Sequence, residues 1–323
     1  MPELWVVSAC FNEASGIAAF IAAIRRQPAV KRLVLVDDGS RDGTAASIQS
    51  LIAEDNHFGS PPACPLSLIR LSRNFGKEAA MLAGLDYARG RCGAVVLMDS
   101  DLQDPPELIG PMVEAWLEGH QVVNAVRHDR SSDSRMKRLS SQGFYSLFLR
   151  LSNLEVQYNA SDYRLLDRVA IDAIVACGEK VRFSKGFFAW MGFDQKNIAF
   201  KRPARHIGTS KWGGWKLWNY ALDGIFNFST APLRIWSYLG LAFTVAAFAV
   251  GLAAVIRVLF FGIDVPGYAS LFFAVTFLGG LQLIGIGILG EYVGRIYLEV
   301  KNRPTYLIRS VEEGAGPLST TSD

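Results

Sequence analysis

Two stretches of the chain carry no charged residue, Ile235 to Ile256 and Val265 to Gly290. A helix rises about 1.5 Å per residue, so roughly 20 apolar residues match a hydrocarbon core about 30 Å thick. Each stretch is long enough to cross a bilayer, and a pair of buried core helices is the alternative. Between them RVLFFGIDVPG holds Arg257, Asp264, Pro266 and Gly267 and reads as a short turn, which makes the pair a helical hairpin with spans at about 235–257 and 267–290. Arg234 precedes the first span, and Arg295, Lys301, Arg303 and Arg309 follow the second, against Arg257 in the turn. The positive-inside rule then predicts a multi-pass protein of the inner membrane with both termini and the large N-terminal part in the cytoplasm. The opening MPELWVVSACFNE lacks a basic n-region and does not read as a signal peptide.

Just before the first span, SKWGGWKLWNYALDGIFNFSTAPLR interleaves Trp212, Trp215, Trp218 and Tyr220 with Lys211 and Lys216. Rings and lysines suit the headgroup level, so Gly214 to Phe228 reads as an interfacial helix, with a soluble amphipathic helix as the alternative. Gly279, Gly280, Gly285, Gly287 and Gly290 in the second span invite close helix contact, within the hairpin or between subunits.

Charge excludes one large class of partner. With 33 Lys and Arg against 30 Asp and Glu the net charge is +3, too near neutral for a chain whose main partner is nucleic acid. Cys10, Cys64, Cys92 and Cys177 are scattered, as are the four histidines, so neither a zinc site nor a disulfide framework follows.

Residues 1 to about 130 alternate short apolar runs (LWVVS, RLVLVDD, LSLIRL, AVVLMDSD, QVVNAV) with helical stretches at about Ala14 to Arg26, Gly43 to Glu54, Gly76 to Arg89 and Pro106 to Glu118. This pattern predicts an α/β fold, a doubly wound parallel sheet with helices on both faces and ligands at the carboxyl ends of its strands. Those ends hold Asn12 and Glu13, Asp37 and Asp38, Arg73 and Asn74, then Asp99 and Asp101. Residues Asn56 to Pro65 read as a surface detour and EEGAGPLSTTSD as a disordered tail.

Two strand ends carry chemistry. In Asp99-Ser100-Asp101, closing an apolar strand, alternation sends two carboxylates to one side unless the backbone bends, and there they repel unless a cation joins them. Magnesium or manganese, completed by phosphate oxygens, is the simple remedy, and a plain turn is the alternative. Asp37-Asp38-Gly39-Ser40-Arg41-Asp42-Gly43-Thr44 reads either as a β-turn with Asp42 or Thr44 capping the next helix, or as acids that accept N–H and O–H donors of a nucleoside.

Taken in order, VVSACFNE, VDDGSRDGT, LSRNFGKEAAMLAGLDYA, MDSDLQDPPELI, NASDYRLLDR and LGEYVGRIYLEVKNRP resemble the membrane-anchored polyprenyl-phosphate glycosyltransferases, relatives of dolichol-phosphate mannosyltransferase and especially the bactoprenol glucosyltransferases. The resemblance runs from about Leu4 to Pro304. It implies a GT-A, Rossmann-like fold and an inverting transfer of one sugar from a nucleotide diphosphate to the phosphate of a long polyisoprenoid. Carried over by position, Glu13, Asp37, Asp38, Arg73 and Asp99 belong to the nucleotide-sugar side. Asp99 and Asp101 hold Mg2+ or Mn2+, Gln103 lies close to the sugar, and Asp162 is the acid on the acceptor side. Many relatives read DAGDFRLL there, so Asn159, Ser161 and Tyr163 are departures. For the acceptor phosphate the candidates are Arg127, Arg138, Arg202, Arg205, Ser210 and Lys211, with Arg205, Ser210 and Lys211 preferred; a headgroup-facing basic patch is the alternative.

The resulting layout is a cytoplasmic glycosyltransferase domain at 1–210, an interfacial region at 211–232, two transmembrane helices within 233–292 and a cytoplasmic tail at 293–323. The expected partners are UDP-glucose, undecaprenyl phosphate, the bilayer and a homo-oligomer, a tetramer by resemblance. UDP-N-acetylhexosamine and GDP-mannose stay open as donors. A processive polysaccharide synthase and a non-catalytic membrane adaptor are the rival readings. The first lacks support because a Q-x-x-R-W segment and further spans are missing, the second because Asp37, Asp99, Asp101 and Asp162 are intact.

Overall fold

A computed structural model describes residues 3–57, 62–127, 160–178, 188, 190–200, 229–261 and 267–314. The chain divides into two compact units, one built on a sheet and one on two long helices.

In the sheet unit the order along the chain is β1 (Leu4–Cys10), α1 (Ile17–Arg25), β2 (Val30–Asp37), α2 (Thr44–His57), β3 (Leu66–Leu71), α3 (Lys77–Ala88) and β4 (Ala94–Leu97). Then come α4 (Ile109–Leu117), β5 (Val122–Arg127), β6 (Ala160–Asp167), α5 (Arg168–Ala176) and β7 (Gln195–Phe200). A last strand, β8 (Ile308–Glu313), follows the long helices. The spatial order is β7-β5-β6-β4-β1-β2-β3-β8. The central β4-β1-β2-β3 block is parallel, as the near-continuous apolar runs require.

The five strands from residues 1–130 all run the same way, and the antiparallel members come from later in the chain. β6 runs antiparallel between β4 and β5, and β8 runs antiparallel on β3. The expected tail therefore begins inside the sheet, since Glu312 and Glu313 are the last residues of β8. Gln49 donates to Glu312 at 2.6 Å, Tyr306 to Asp86 at 2.7 Å, and Tyr87 and Arg91 meet Glu313, so this strand is tied to α2 and α3 by side chains as well as by the ladder.

Strand alternation divides the core between two faces. Leu4, Val6, Leu33, Leu35, Leu66, Leu68, Val96 and Leu165 pack with α1, α2 and α4 on one face. On the other, a Cβ at Gly84 of α3 would come within 2.3 Å of the Val7 side chain and 3.1 Å of Val36, so α3 lies on β1 and β2 closer than any larger residue allows. Along β6 the same alternation places Tyr163 with the α1, α2 and α4 core, and leaves Asp162 and Arg164 on the α3 face.

The second unit holds α6 (Ala231–Phe261) and α7 (Tyr268–Val300), longer than the expected spans because the helices run on past the uncharged stretches. Leu233–Ala253 and Phe277–Val300 are long and apolar enough to cross a membrane, and 0% and 6% of their most apolar windows are buried inside the protein. A buried core helix is mostly covered, and among the described residues these windows are not. The helices form a hairpin through few contacts: the rings of Phe243 and Phe277 meet edge-on at 6.1 Å, and the Trp236 indole lies against Gly285, where a Cβ would come within 2.0 Å. Of the five glycines singled out in the sequence, Gly285 makes this approach; Cβ positions at the other four are open. Tyr292 donates to the Ser229 carbonyl at 2.7 Å, and Glu291 pairs with Arg295 at 2.8 Å beyond the uncharged run.

The expected interfacial helix, the turn at 262–266, Asn159, Arg138, Arg202, Arg205, Ser210 and Lys211 lie outside the described residues.

Candidate active site

Three loops at the carboxyl ends of β1, β2 and β3 are laced together by backbone N–H groups and short side chains. Asn12, at φ +56°, accepts from the Arg41 N–H at 2.9 Å, and its own N–H donates to the Ser40 hydroxyl at 2.9 Å. The Glu13 N–H donates to the Thr44 hydroxyl at 2.9 Å. Asp42 accepts from the Ala14 N–H at 3.1 Å and from the Thr44 N–H and hydroxyl at 3.1 and 2.5 Å, and the Thr44 hydroxyl holds its carboxyl below the usual range. Asp42 is thus the turn and cap acid of this segment.

The adjacent acids divide in role. Asp37 is buried at the end of β2, accepts from the Ser40 N–H at 3.1 Å and lies 3.9 Å from the Arg70 guanidinium. Asp38, also buried, spends both oxygens on the β3-α3 loop, accepting from the Phe75 N–H at 2.7 Å and the Gly76 N–H at 2.9 Å. Burial raises its carboxyl above the ordinary value, partly offset by those two bonds. Asp38 braces the loop, while Asp37 keeps an oxygen on the Arg70 side. Gly39 makes that loop pairing possible: at φ +73°, a Cβ would fall 2.7 Å from the Arg73 carbonyl carbon and 2.8 Å from the Asn74 nitrogen. Arg73 is exposed, its guanidinium 4.4 Å above the Phe75 ring.

The second acid pair follows β4, which ends at Leu97, so the pair stands in a turn and strand alternation does not set its direction. Asp99 is half-buried, and burial raises its carboxyl above the ordinary value while Lys77 pulls it back. Asp101 is exposed and accepts from the Gln103 N–H at 3.0 Å, closing a turn in which Leu102 sits at φ +54°. A leucine in the left-handed region is a strained residue of the kind that clusters at functional loops. Ser100 donates to the Ala9 carbonyl at 3.3 Å, and the Tyr163 phenol to the Pro105 carbonyl at 3.1 Å, so β1 and β6 hold the two ends of the Asp99 to Pro105 loop. The tyrosine that departs from the resemblance therefore has a partner that phenylalanine lacks.

Between the Asp99 and Asp162 carboxylates stands a residue that the sequence reading passes over. The Lys77 ammonium lies 2.7 Å from Asp99 Oδ1 and 2.7 Å from Asp162 Oδ2. Burial alone would depress its pKa, but Asp162 and Asp99 outweigh that and hold it raised. Lys77, Glu78, Met81, Leu82, Leu85, Leu97, Asp162, Arg164, Ile174 and Phe188 line one cavity here, with the Arg164 guanidinium 3.7 Å above the Phe188 ring. The signal for Lys77 is present in NFGKEAA: a lysine opening a helix faces the positive end of the macrodipole and calls for carboxylates nearby.

The structure thus brings Asp99 and Asp162 to one ammonium, with Asp101 and Gln103 in the loop that follows Asp99. Glu13, Asp37 and Asp38 belong to the laced loops. Arg127 ends β5, the strand beside β6. Among the described residues no three His, Cys, Asp or Glu side chains cluster as a complete metal site. Asp99 and Asp101 are hard oxygen donors of the type a divalent ion takes when phosphate oxygens of a substrate complete its shell, and Lys77 holds Asp99 Oδ1 in the structure described.

Comparison with known proteins places the chain in a family. The glycosyl transferase family 2 model matches residues 5–175, which include both acid pairs and Asp162. An SfII prophage-derived bactoprenol glucosyl transferase of Shigella flexneri is 44% identical over 97% of this chain and 99% of its own length. A prophage bactoprenol glucosyl transferase homolog of Escherichia coli K12 is 42% identical over 96% and 100%. An uncharacterized glycosyltransferase of Synechocystis is 41% identical over 95% and 94%. With a mixed α/β sheet of the GT-A type and a match of this extent, the chain is a glycosyltransferase and belongs to glycosyl transferase family 2.

Proposed function

We propose that this enzyme transfers a single sugar, glucose from UDP-glucose, to undecaprenyl phosphate at the cytoplasmic face of the inner membrane, with inversion at the anomeric carbon. The observation that carries the reading is the likeness, nearly end to end, to proteins named bactoprenol glucosyl transferases. The fold supports the topology. The chain leaves the sheet unit before Ala231 and rejoins the same sheet at Ile308, and one sheet lies on one side of a bilayer, so the crossings between must be even in number. Two apolar helices meet that condition, and the basic residues flanking them favour the cytoplasmic side. The open glycine positions on α7 suit a homo-oligomer, which we take to be a tetramer.

An alkyl phosphate has a second pKa near about 6, so at neutral pH the acceptor oxygen is already largely anionic. That oxygen forms the new bond to the anomeric carbon as the bond to the departing nucleoside diphosphate breaks, and no proton has to move. Asp162 accordingly orients the acceptor rather than deprotonating it. Glu13, Asp37 and Arg73 take the nucleoside and diphosphate side, Asp38 keeps their loops in register, and Gln103 takes the sugar. Asp99 and Asp101 would hold Mg2+ or Mn2+, which supplies positive charge to the departing diphosphate. Arg127, Arg202, Arg205, Ser210 and Lys211 are assigned to the acceptor phosphate.

The test is a donor panel of UDP-glucose, UDP-N-acetylglucosamine and GDP-mannose, each radiolabelled, with undecaprenyl phosphate as acceptor. We expect label from UDP-glucose in an organic-soluble product that mild acid releases. Label in an insoluble polymer would overturn the reading in favour of a processive synthase, and no transfer from any donor would favour an adaptor.

A further inference from the structure

We propose that Lys77 is the residue that admits the acceptor phosphate beside Asp162, an assignment that rests on the acceptor reading above. The problem it solves is one of charge. Asp162 is a carboxylate, and the acceptor arrives as a phosphate with nearly two negative charges, so the two repel unless a cation stands between them. The structure places one at that point: the Lys77 ammonium, 2.7 Å from Asp162 Oδ2.

The ammonium has three N–H donors. Asp99 and Asp162 receive two of them, and a side chain 42% exposed leaves the third within reach of an incoming anion. A phosphate oxygen that takes this third hydrogen sits next to Asp162 without breaking the existing pair. The anchor is rigid. Asp38 clamps the two N–H groups just before Lys77, and the helix that Lys77 opens is seated on β1 and β2 through Gly84. Nothing in helix energetics favours lysine here, because the first turn of α3 faces the positive end of the helix dipole. A residue kept against that preference, with one carboxylate from the donor side and one from the acceptor side, is suited to hold the two substrates' charges in register. Lys77 is a binding and positioning residue in this role; it stays protonated throughout and exchanges nothing with the substrates.

The experiment uses the full chain in nanodiscs containing undecaprenyl phosphate, with UDP-glucose as donor. Lys77→Met, Lys77→Gln and Lys77→Arg are compared with the wild type for acceptor KM, donor KM and UDP-glucose binding measured calorimetrically without acceptor. Losing one charge-assisted hydrogen bond corresponds to about a ten- to hundredfold rise in acceptor KM for Met and Gln, with UDP-glucose binding moved less than about threefold. Arg keeps the charge and is expected to recover most of the acceptor affinity, which a packing role for the lysine stem would not explain. If Lys77→Met does not fold, the Gln and Arg variants carry the same comparison. A wild-type lipid product with acceptor KM unmoved in the variants, or with acceptor and donor constants shifted together, overturns the assignment of Lys77 and leaves the proposed function standing. Absence of lipid product from the wild type overturns both.

Discussion

The loop pairing at Gly39 offers a calculation that the structure makes unusually sharp. Gly39 and Gly43 belong to the same turn and both have positive φ, +73° and +91°, but a Cβ at Gly39 would lie 2.7 and 2.8 Å from the Arg73 and Asn74 backbone, whereas a Cβ at Gly43 meets nothing within 4 Å. Alanine at either site incurs the left-handed backbone penalty of about 1–2 kcal/mol. At Gly39 a further overpacking cost of about 1–3 kcal/mol is expected, since backbone atoms cannot swing aside as a flexible side chain can. Gly39→Ala should therefore cost about 2–5 kcal/mol in all. For a domain of this size that corresponds to a fall in Tm of about 4–20 °C, against about 2–8 °C for Gly43→Ala. Thermal unfolding of both variants in the same detergent measures the difference. The Gly39 variant should also lose donor affinity, because the displaced backbone carries Arg73 and the N–H groups that Asp38 holds. Equal Tm values for the two alanine variants would refute the close approach as the reason for glycine at this position.

Asp101→Asn should abolish metal-dependent transfer with Tm nearly unchanged, because asparagine still accepts from the Gln103 N–H and the side chain is exposed; wild-type rates in that variant would remove Asp101 from the metal site. Tyr163→Phe should cost about 1 kcal/mol through the lost bond to the Pro105 carbonyl, read by denaturant unfolding, and a cost near zero would mean that bond adds nothing. Burial raises the Cys64 thiol to about 11 and the Cys92 thiol to about 12, and pushes Cys10 up as well, while Cys177 is only half-buried. A raised thiol pKa leaves the unreactive protonated form dominant until the pH climbs toward that value, so a thiol reagent at pH 8 should modify one cysteine quickly in the native protein and four after denaturation. Two or more fast thiols in the native state would contradict the burial.

How much of this was legible in the sequence depends on how local the determinant is. β1 to β4 announce themselves because strands covered on both faces read as unbroken apolar runs, and the acids at their carboxyl ends follow from that placement. β8 does not: IRSVEE is largely exposed and has no clean alternation, and its place is fixed by pairing with β3 across most of the chain. Nor does the direction of β6, whose ASDYRLLD is mixed in character and whose direction is fixed by pairing with β4 and β5. DDGSRDGT left a turn and a ligand site open as alternatives, and the structure divides them residue by residue: Asp42 caps, Asp38 braces and Asp37 accepts one N–H while facing Arg70. Lys77 was missed because its meaning lies in two carboxylates, from β4 and β6, that only the fold brings to it.

The account stands most directly on the chemical identity of one product. The purified chain, in nanodiscs with undecaprenyl phosphate, UDP-glucose and Mg2+ or Mn2+, should yield glucosyl phosphoryl undecaprenol as the β anomer. Mass spectrometry of the extracted lipid establishes the first point and proton coupling at the anomeric carbon the second. An unmodified lipid after exhaustive incubation would contradict the claim that these acids serve transfer to a prenol phosphate, and an α-linked product would contradict direct displacement.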